Sequence, residues 1–168
     1  MISGRSGGID IFLQPGEWYF GDEYSRIRTT LGSCIAFTFW HPGRRVGAMC
    51  HYMLPSRDKP GGKLDGRYGD EALQLLDAEA RRLGTRLHEY DTKLFGGGNM
   101  AATAASGTGV PARNIAAAWA LVERYQLRVK AEHLGGSGYR QLIFDIATGD
   151  VWMRFGSAGQ AAGIVGEP

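Results

Sequence analysis

Two strand-like runs, Cys34 to Trp40 and Val46 to Leu54, flank the turn-forming His41-Pro42-Gly43-Arg44, and this pattern restricts the fold more than any other part of the chain. It reads as a β-hairpin. With Pro42-Gly43 at the tip, Cys34 lies opposite His51, and directly opposed side chains in an antiparallel pair hold their Cβ atoms about 4.5–5.5 Å apart. A thiol and an imidazole then meet. The register depends on the turn: Pro-Gly favours type II, whereas two-residue hairpins favour the primed types. A longer loop would displace the pairing by one and set the two groups diagonally or on opposite faces.

Strand parity separates the two cysteines. Cys50 shares a face with Val46, Ala48, Tyr52 and Leu54, away from His51, and is expected in packing. Cys34 follows Gly32-Ser33, where small side chains let a substrate approach the backbone and let main-chain amides point into a site. Cys34 is therefore the candidate nucleophile and His51 its candidate base.

At 168 residues the chain fits one domain, 1–168, with flexible ends expected at about 1–8 and 157–168. A net charge of +2 without a dense Lys/Arg cluster argues against nucleic acid as the partner. No stretch resembles a signal peptide or approaches the roughly 20 apolar residues of a membrane span, so a cytoplasmic protein without membrane insertion is expected. Two cysteines in that compartment should be thiols. A metal reading of Cys34, Cys50, His51, His41, His88 and His133 lacks zinc-site spacing, so no metal site is expected.

Ile9 to Leu13, Glu17 to Phe20 and Arg26 to Thr30 read as short strands near the N-terminus, and Ser56 to Lys63 as a surface loop. Helical spacing of Ala72, Leu73, Leu76, Ala80 and Leu83 predicts a helix over 69–83. A second is predicted over 113–126, with Ile115, Ala118, Trp119, Val122 and Tyr125 on its apolar stripe. Further strands are expected at Arg86–Phe95, Leu127–Leu134, Tyr139–Ile146 and Val151–Phe155. The fold class is α/β or α+β: layered mixed, largely antiparallel β-sheets flanked by two or three helices. Gly107 to Ala112 satisfies a Gly-x-Gly-x-x-Ala pattern, but no strand leads into it, and coincidence is the better account.

Read together, Leu31-Gly32-Ser33-Cys34, His51-Tyr52-Met53-Leu54-Pro55, Arg67-Tyr68-Gly69-Asp70, Leu94-Phe95-Gly96-Gly97-Gly98-Asn99-Met100, Ala112-Arg113-Asn114-Ile115, Leu134-Gly135-Gly136 and Ile143-Phe144-Asp145 occur in an informative order. The chain resembles the chemoreceptor glutamine deamidase family, CheD, of bacterial chemotaxis. The resemblance implies hydrolysis of receptor glutamine side chains to glutamate with release of ammonia, without metal or organic cofactor. It implies a catalytic Cys, His and Thr; the first two map onto Cys34 and His51. The third maps onto Thr29 of the Thr29-Thr30 pair, with Thr30 the alternative. The implied partners are methyl-accepting chemotaxis receptors, through their cytoplasmic helices, and a CheC-type phosphatase of the response regulator.

A free thiol is only a few per cent thiolate at neutral pH, so an imidazole that accepts its proton would raise the reactive fraction. Ser33 and Gly32 are candidate substrate-binding residues through their main chain, and Asn99 through its side chain. Asn99 has a turn role as its bland alternative. The rival function is a non-catalytic chemotaxis binding module for a receptor or phosphatase, which would have no chemical need of Cys34 and His51.

Overall fold

The computed structural model describes residues 8–59, 61–100, 109–157 and 160–167. Five short strands come first: β1 (Ile9–Leu13), β2 (Trp18–Asp22), β3 (Ser25–Leu31), β4 (Ile35–His41) and β5 (Val46–Tyr52). Helix α1 (Gly69–Arg82), β6 (Asp91–Gly96) and helix α2 (Gly109–Tyr125) follow. The chain then runs through β7 (Arg128–Leu134), β8 (Tyr139–Asp145), β9 (Asp150–Ser157) and β10 (Gln160–Glu167). One sheet has the order β1-β3-β8-β9-β10 and the other β2-β5-β4-β6-β7. Pairing is antiparallel except for β1 with β3 and β6 with β7. The expected layered, mixed and largely antiparallel architecture is thus the observed one.

Strand alternation sorts the side chains into two apolar layers. Ile35, Phe37 and Phe39 of β4, with Ala48, Cys50 and Tyr52 of β5, face α1 and α2. Ala36 and Met49, on the opposite face, pack between the sheets against Ile27, Leu31, Leu142 and Phe144. His51 shares the parity of Met49, so its side chain belongs to the layer between the sheets. Cys50 is fully buried on the helix side, as its parity requires.

The hairpin register differs from the simplest expectation. His41 pairs with Val46, and the loop holds four residues, Pro42 to Arg45; Arg45 adopts a left-handed φ of 51° and donates its N–H to the His41 carbonyl at 2.8 Å. Pro-Gly does not form the primed two-residue turn, so the loop lengthens. Ala36 consequently pairs with His51 and Ile35 with Tyr52. Cys34, one residue outside the ladder, is therefore diagonal to His51. Because the displacement is an even number of residues, the two remain on one face.

Other boundaries moved for local reasons. Residues 87–89 form a 3-10 turn rather than the start of a strand, with the Glu89 carboxylate accepting the Arg86 N–H, and β6 begins only at Asp91. Helix α2 begins at Gly109, four residues earlier than expected, because Pro111 is tolerated in a first turn where N–H groups lack partners anyway. Its buried face is Asn114, Ala118 and Leu121, and Trp119 is 39% exposed rather than on the core stripe. The C-terminal end expected to be flexible forms β10 over residues 160–167, paired antiparallel with the otherwise open edge of β9. Residues 1–7 of the expected N-terminal flexible end, and Gly107 and Thr108 of the Gly-x-Gly-x-x-Ala pattern, lie outside the described residues. No helix among the described residues is long and apolar enough to cross a membrane.

The loop after β6 is the fold's tightest crossing. Gly96 has a φ of 119°, and a Cβ there would run into the Cys34 carbonyl oxygen; a Cβ on Gly98 would meet the Gly138 carbonyl. Gly96→Ala is expected to destabilise the fold by at least about 2 kcal/mol, through strained backbone and a displaced Cys34 carbonyl. Urea unfolding checks this, and a variant within about 0.5 kcal/mol of the parent would contradict the crossing.

Candidate active site

The site is built where the two sheets face each other. Thr29 on β3 and His51 on β5 come from different sheets, and the Thr29 hydroxyl oxygen lies 2.7 Å from His51 Nδ1. Thr29 has one proton to give, and it goes to the Leu13 carbonyl at 2.9 Å, at the end of β1 beside it. The hydroxyl must therefore accept from His51, which fixes the ring as the Nδ1–H tautomer with the lone pair on Nε2. Thr30, the alternative to Thr29, is exposed on the outer face of β3. The His51 backbone is gripped as well: Gly16 donates its N–H to the His51 carbonyl at 2.8 Å, and the His51 N–H reaches the Glu17 carbonyl at 3.2 Å.

His51 is 1% exposed, and its Nε2 is buried without a hydrogen-bond partner among the described residues. Leaving a buried polar atom unpaired costs about 1–3 kcal/mol, which makes this acceptor the site's conspicuous unmet demand. Cys34 is half-buried, at the entrance to the same layer. It makes no hydrogen bond to His51 in this resting arrangement. Catalytic contacts commonly tighten only when substrate is bound.

The backbone around Cys34 is held with unusual completeness. Gly98 donates its N–H to the Gly32 carbonyl at 2.9 Å, and Gly97 donates to the Cys34 carbonyl at 2.9 Å. Between them, Asn114 Nδ2 donates to the Ser33 carbonyl at 3.0 Å. Three consecutive carbonyls are thus pinned by three donors. Gly32 and Ser33, half-buried, contribute to this segment through their backbone; a Cβ on Gly32 would press on the Met100 side chain at 3.2 Å.

Burial controls the charge states. It pushes the Cys34 thiol above its ordinary range and lowers His51 to about 4. At neutral pH the resting pair is a thiol and a neutral imidazole, not a preformed thiolate and imidazolium. Cys50 is pushed up to about 12 by complete burial, which suits inert packing.

The model of the family described as CheD chemotactic sensory transduction matches residues 53–155 of the chain. A relative from Pseudomonas fluorescens (strain SBW25), named probable chemoreceptor glutamine deamidase CheD, is 47% identical over 151 residues, covering 88% of this chain and 85% of the relative. The chain belongs to the CheD family. A second relative, probable chemoreceptor glutamine deamidase CheD 2 of Albidiferax ferrireducens, is 48% identical over 155 residues, 90% of each chain. A more distant one, CheD 1 of Leptospira interrogans, is 36% identical over 155 residues, 86% of this chain and 92% of its own.

Among the residues singled out from the sequence, this CheD chain brings Thr29 and His51 into contact and sets Cys34 on the same face. Asn99 makes no hydrogen bond to any of the three. Its N–H binds the Gly136 carbonyl at 2.8 Å and its carbonyl accepts from Gly138 at 3.0 Å, so its visible role is to tie two turns together. Two residues escaped sequence reasoning. Asn114 is a polar residue on an otherwise apolar helix face, a signal that the spacing 114, 118, 121 offers. Arg140 lies 1% exposed on the inner face of β8, its Nε donating to His133 Nδ1 at 2.9 Å and its Nη2 to the Gly135 carbonyl at 2.6 Å. Burial lowers it only to about 10, so it remains a cation, stacked 4.7 Å from the Phe155 ring centroid.

The depressed His51 value has a stability consequence of definite sign. Between pH 6.5 and 4 the unfolded chain binds a proton at this residue that the folded chain rejects, so stability falls as pH is lowered through that window, by up to about 3 kcal/mol. Urea midpoints at pH 7, 5 and 4 for the parent and for His51→Asn should show a smaller acid loss in the variant. Equal losses would contradict a buried neutral imidazole.

Proposed function

We propose that this CheD-family chain is a protein-glutamine deamidase that converts chemoreceptor glutamine side chains to glutamate and ammonia, with Cys34 as nucleophile, His51 as acid–base group and Thr29 as the residue that orients His51. The observation that carries the reading is the tautomer lock: Thr29, committed to Leu13, leaves His51 Nε2 as an unpaired acceptor on the face that Cys34 shares. A proton acceptor held in the apolar interior without a partner has a chemical use and no packing use.

The steps follow from the resting charge states. As the sulfur attacks the glutamine Cδ, its proton passes to Nε2; the S–C bond forms and the carbonyl π pair moves onto oxygen. When that pair returns, the C–N bond breaks and His51 gives its proton to the departing ammonia, leaving a thioester. Water, deprotonated by Nε2, then attacks the thioester carbon, the C–S bond breaks, and the sulfur takes the proton back. Glutamate is released and the enzyme is regenerated. Thr29 keeps the ring in the one orientation in which Nε2 serves every step. Because the thiol is not ionised at rest, proton transfer accompanies attack, and adventitious electrophiles find no standing thiolate.

The partners implied are chemoreceptors, through cytoplasmic segments that carry reactive glutamines, with a CheC-type phosphatase as a second binding partner. The whole chain is read as one deamidase domain acting in the cytoplasm.

Incubation with the cognate receptors, followed by mass-spectrometric mapping of glutamine-to-glutamate changes in unbroken chains, tests the activity. Cys34→Ala is expected to abolish ammonia release, whereas Cys50→Ala should retain it with only a packing cost; the opposite pattern would make Cys50 the nucleophile. An inert parent that still binds receptors would favour the non-catalytic binding module. The acid limb of kcat/KM should fall near pH 4, well below the ordinary histidine value, because His51 stays neutral down to that point. A limb at about pH 6.5 would remove His51 as the base.

A further inference from the structure

We infer that Asn114 is a positioning residue that builds the oxyanion site of this enzyme by holding the Ser33–Cys34 peptide with its N–H directed away from the α2 helix; the inference rests on the deamidase reading above.

The β4–β5 ladder ends at Ile35 and Tyr52, and beyond that pair the strands lose their mutual hydrogen bonds. Asn114 enters at this point. Its Nδ2 donates to the Ser33 carbonyl at 3.0 Å and to the Met53 carbonyl at 2.9 Å, so one carboxamide bridges the open end of the hairpin. Its own backbone is fixed from the same place, since the Tyr52 hydroxyl donates to the Asn114 carbonyl at 2.7 Å. Asn114 is 0% exposed, which excludes direct substrate contact and confines it to a role through its neighbours.

Peptide geometry converts this grip into chemistry. In a trans peptide the N–H points opposite to the C=O, so a donor holding the Ser33 carbonyl fixes the direction of the Cys34 N–H. In the same way, the Gly98 N–H holding the Gly32 carbonyl fixes the Ser33 N–H. Neither Ser33 N–H nor Cys34 N–H has a hydrogen-bond acceptor among the described residues. Two adjacent, immobilised and unsatisfied donors beside a nucleophilic sulfur are what a developing oxyanion requires, because they need no reorganisation when charge appears. Asn114 is the only side chain among the three donors that pin this segment. Both of its amide protons are used, whereas its Oδ1 is buried without a partner, so its placement serves the two carbonyls.

The test compares Asn114→Asp, which keeps the shape but loses the donors, with Asn114→Ala. For ammonia release from the receptor's cytoplasmic domain, kcat should fall about 10- to 100-fold with KM nearly unchanged, since the lost interaction acts on the transition state. Alkylation of Cys34 by iodoacetamide should stay within about threefold of the parent, because displacement at a tetrahedral carbon generates no oxyanion, so only the deamidation rate depends on the site. An unchanged kcat in both variants would overturn the proposal. So would a parallel fall in kcat and alkylation, which marks a general disturbance of the fold. Reversible hemithioacetal formation between Cys34 and butyraldehyde asks the same question without a receptor. Weaker capture in the variants supports the positioning role even if the parent proves unable to deamidate receptors, and equal capture contradicts it.

Discussion

The hydrogen bond between Thr29 and His51 joins the two sheets at the site, and the site's chemistry depends on its direction. A neutral histidine in an apolar layer can adopt either tautomer, and only one leaves Nε2 as a base. The choice is made by the Leu13 carbonyl, which takes the Thr29 proton and obliges the hydroxyl to accept. Both sheets, and the β1–β2 connection that binds the His51 backbone, thereby contribute to one protonation state. The site could not be assembled by the β4–β5 hairpin alone.

A second constraint is the rigidity of the thiol's own backbone. A side chain on Gly96 would collide with the Cys34 carbonyl, and the same close passage lets the Gly97 and Gly98 amides reach the Cys34 and Gly32 carbonyls. Asn114 completes the set from the helix layer. The Cys34 segment is held by a strand neighbour and a helix, and the His51 ring by the opposite sheet. In the apolar layer both reacting groups rest uncharged, and burial sets this: it raises the thiol and lowers the imidazole. In the proposed chemistry, reactivity is therefore tied to the presence of a substrate that can take the sulfur as its proton leaves.

The alternation of the hairpin strands made the faces of Cys34, Cys50 and His51 legible, because parity survives any even displacement of register. The register itself was not legible, since four-residue loops are chosen by a left-handed residue, here Arg45, that a dipeptide turn signal does not reveal. Thr29 and Thr30 were inseparable by composition and are separated by which face of β3 looks inward. The glycine run was visible, but its function needed the third dimension: the space a side chain would need is taken by the Cys34 carbonyl at Gly96, by Ile115 at Gly97 and by the Gly138 carbonyl at Gly98. Asn114 was hidden for a different reason. It stands in the Ala112-Arg113-Asn114-Ile115 segment, but that motif assigns it no role, and its meaning comes from two carbonyls located 81 and 61 residues earlier in the chain. The strand at 160–167 escaped because its Gly- and Ala-rich sequence has weak alternation, and its pairing comes from the free edge of β9.

The most direct test of this account is the protonation pattern of the His51 ring, read by ring-nitrogen NMR of the selectively labelled protein at neutral pH. The structure predicts a neutral imidazole with its proton on Nδ1 and a bare Nε2, changing only near pH 4. A proton on Nε2, or an imidazolium at pH 7, would contradict the lock through Thr29 and Leu13 on which the proposed chemistry depends.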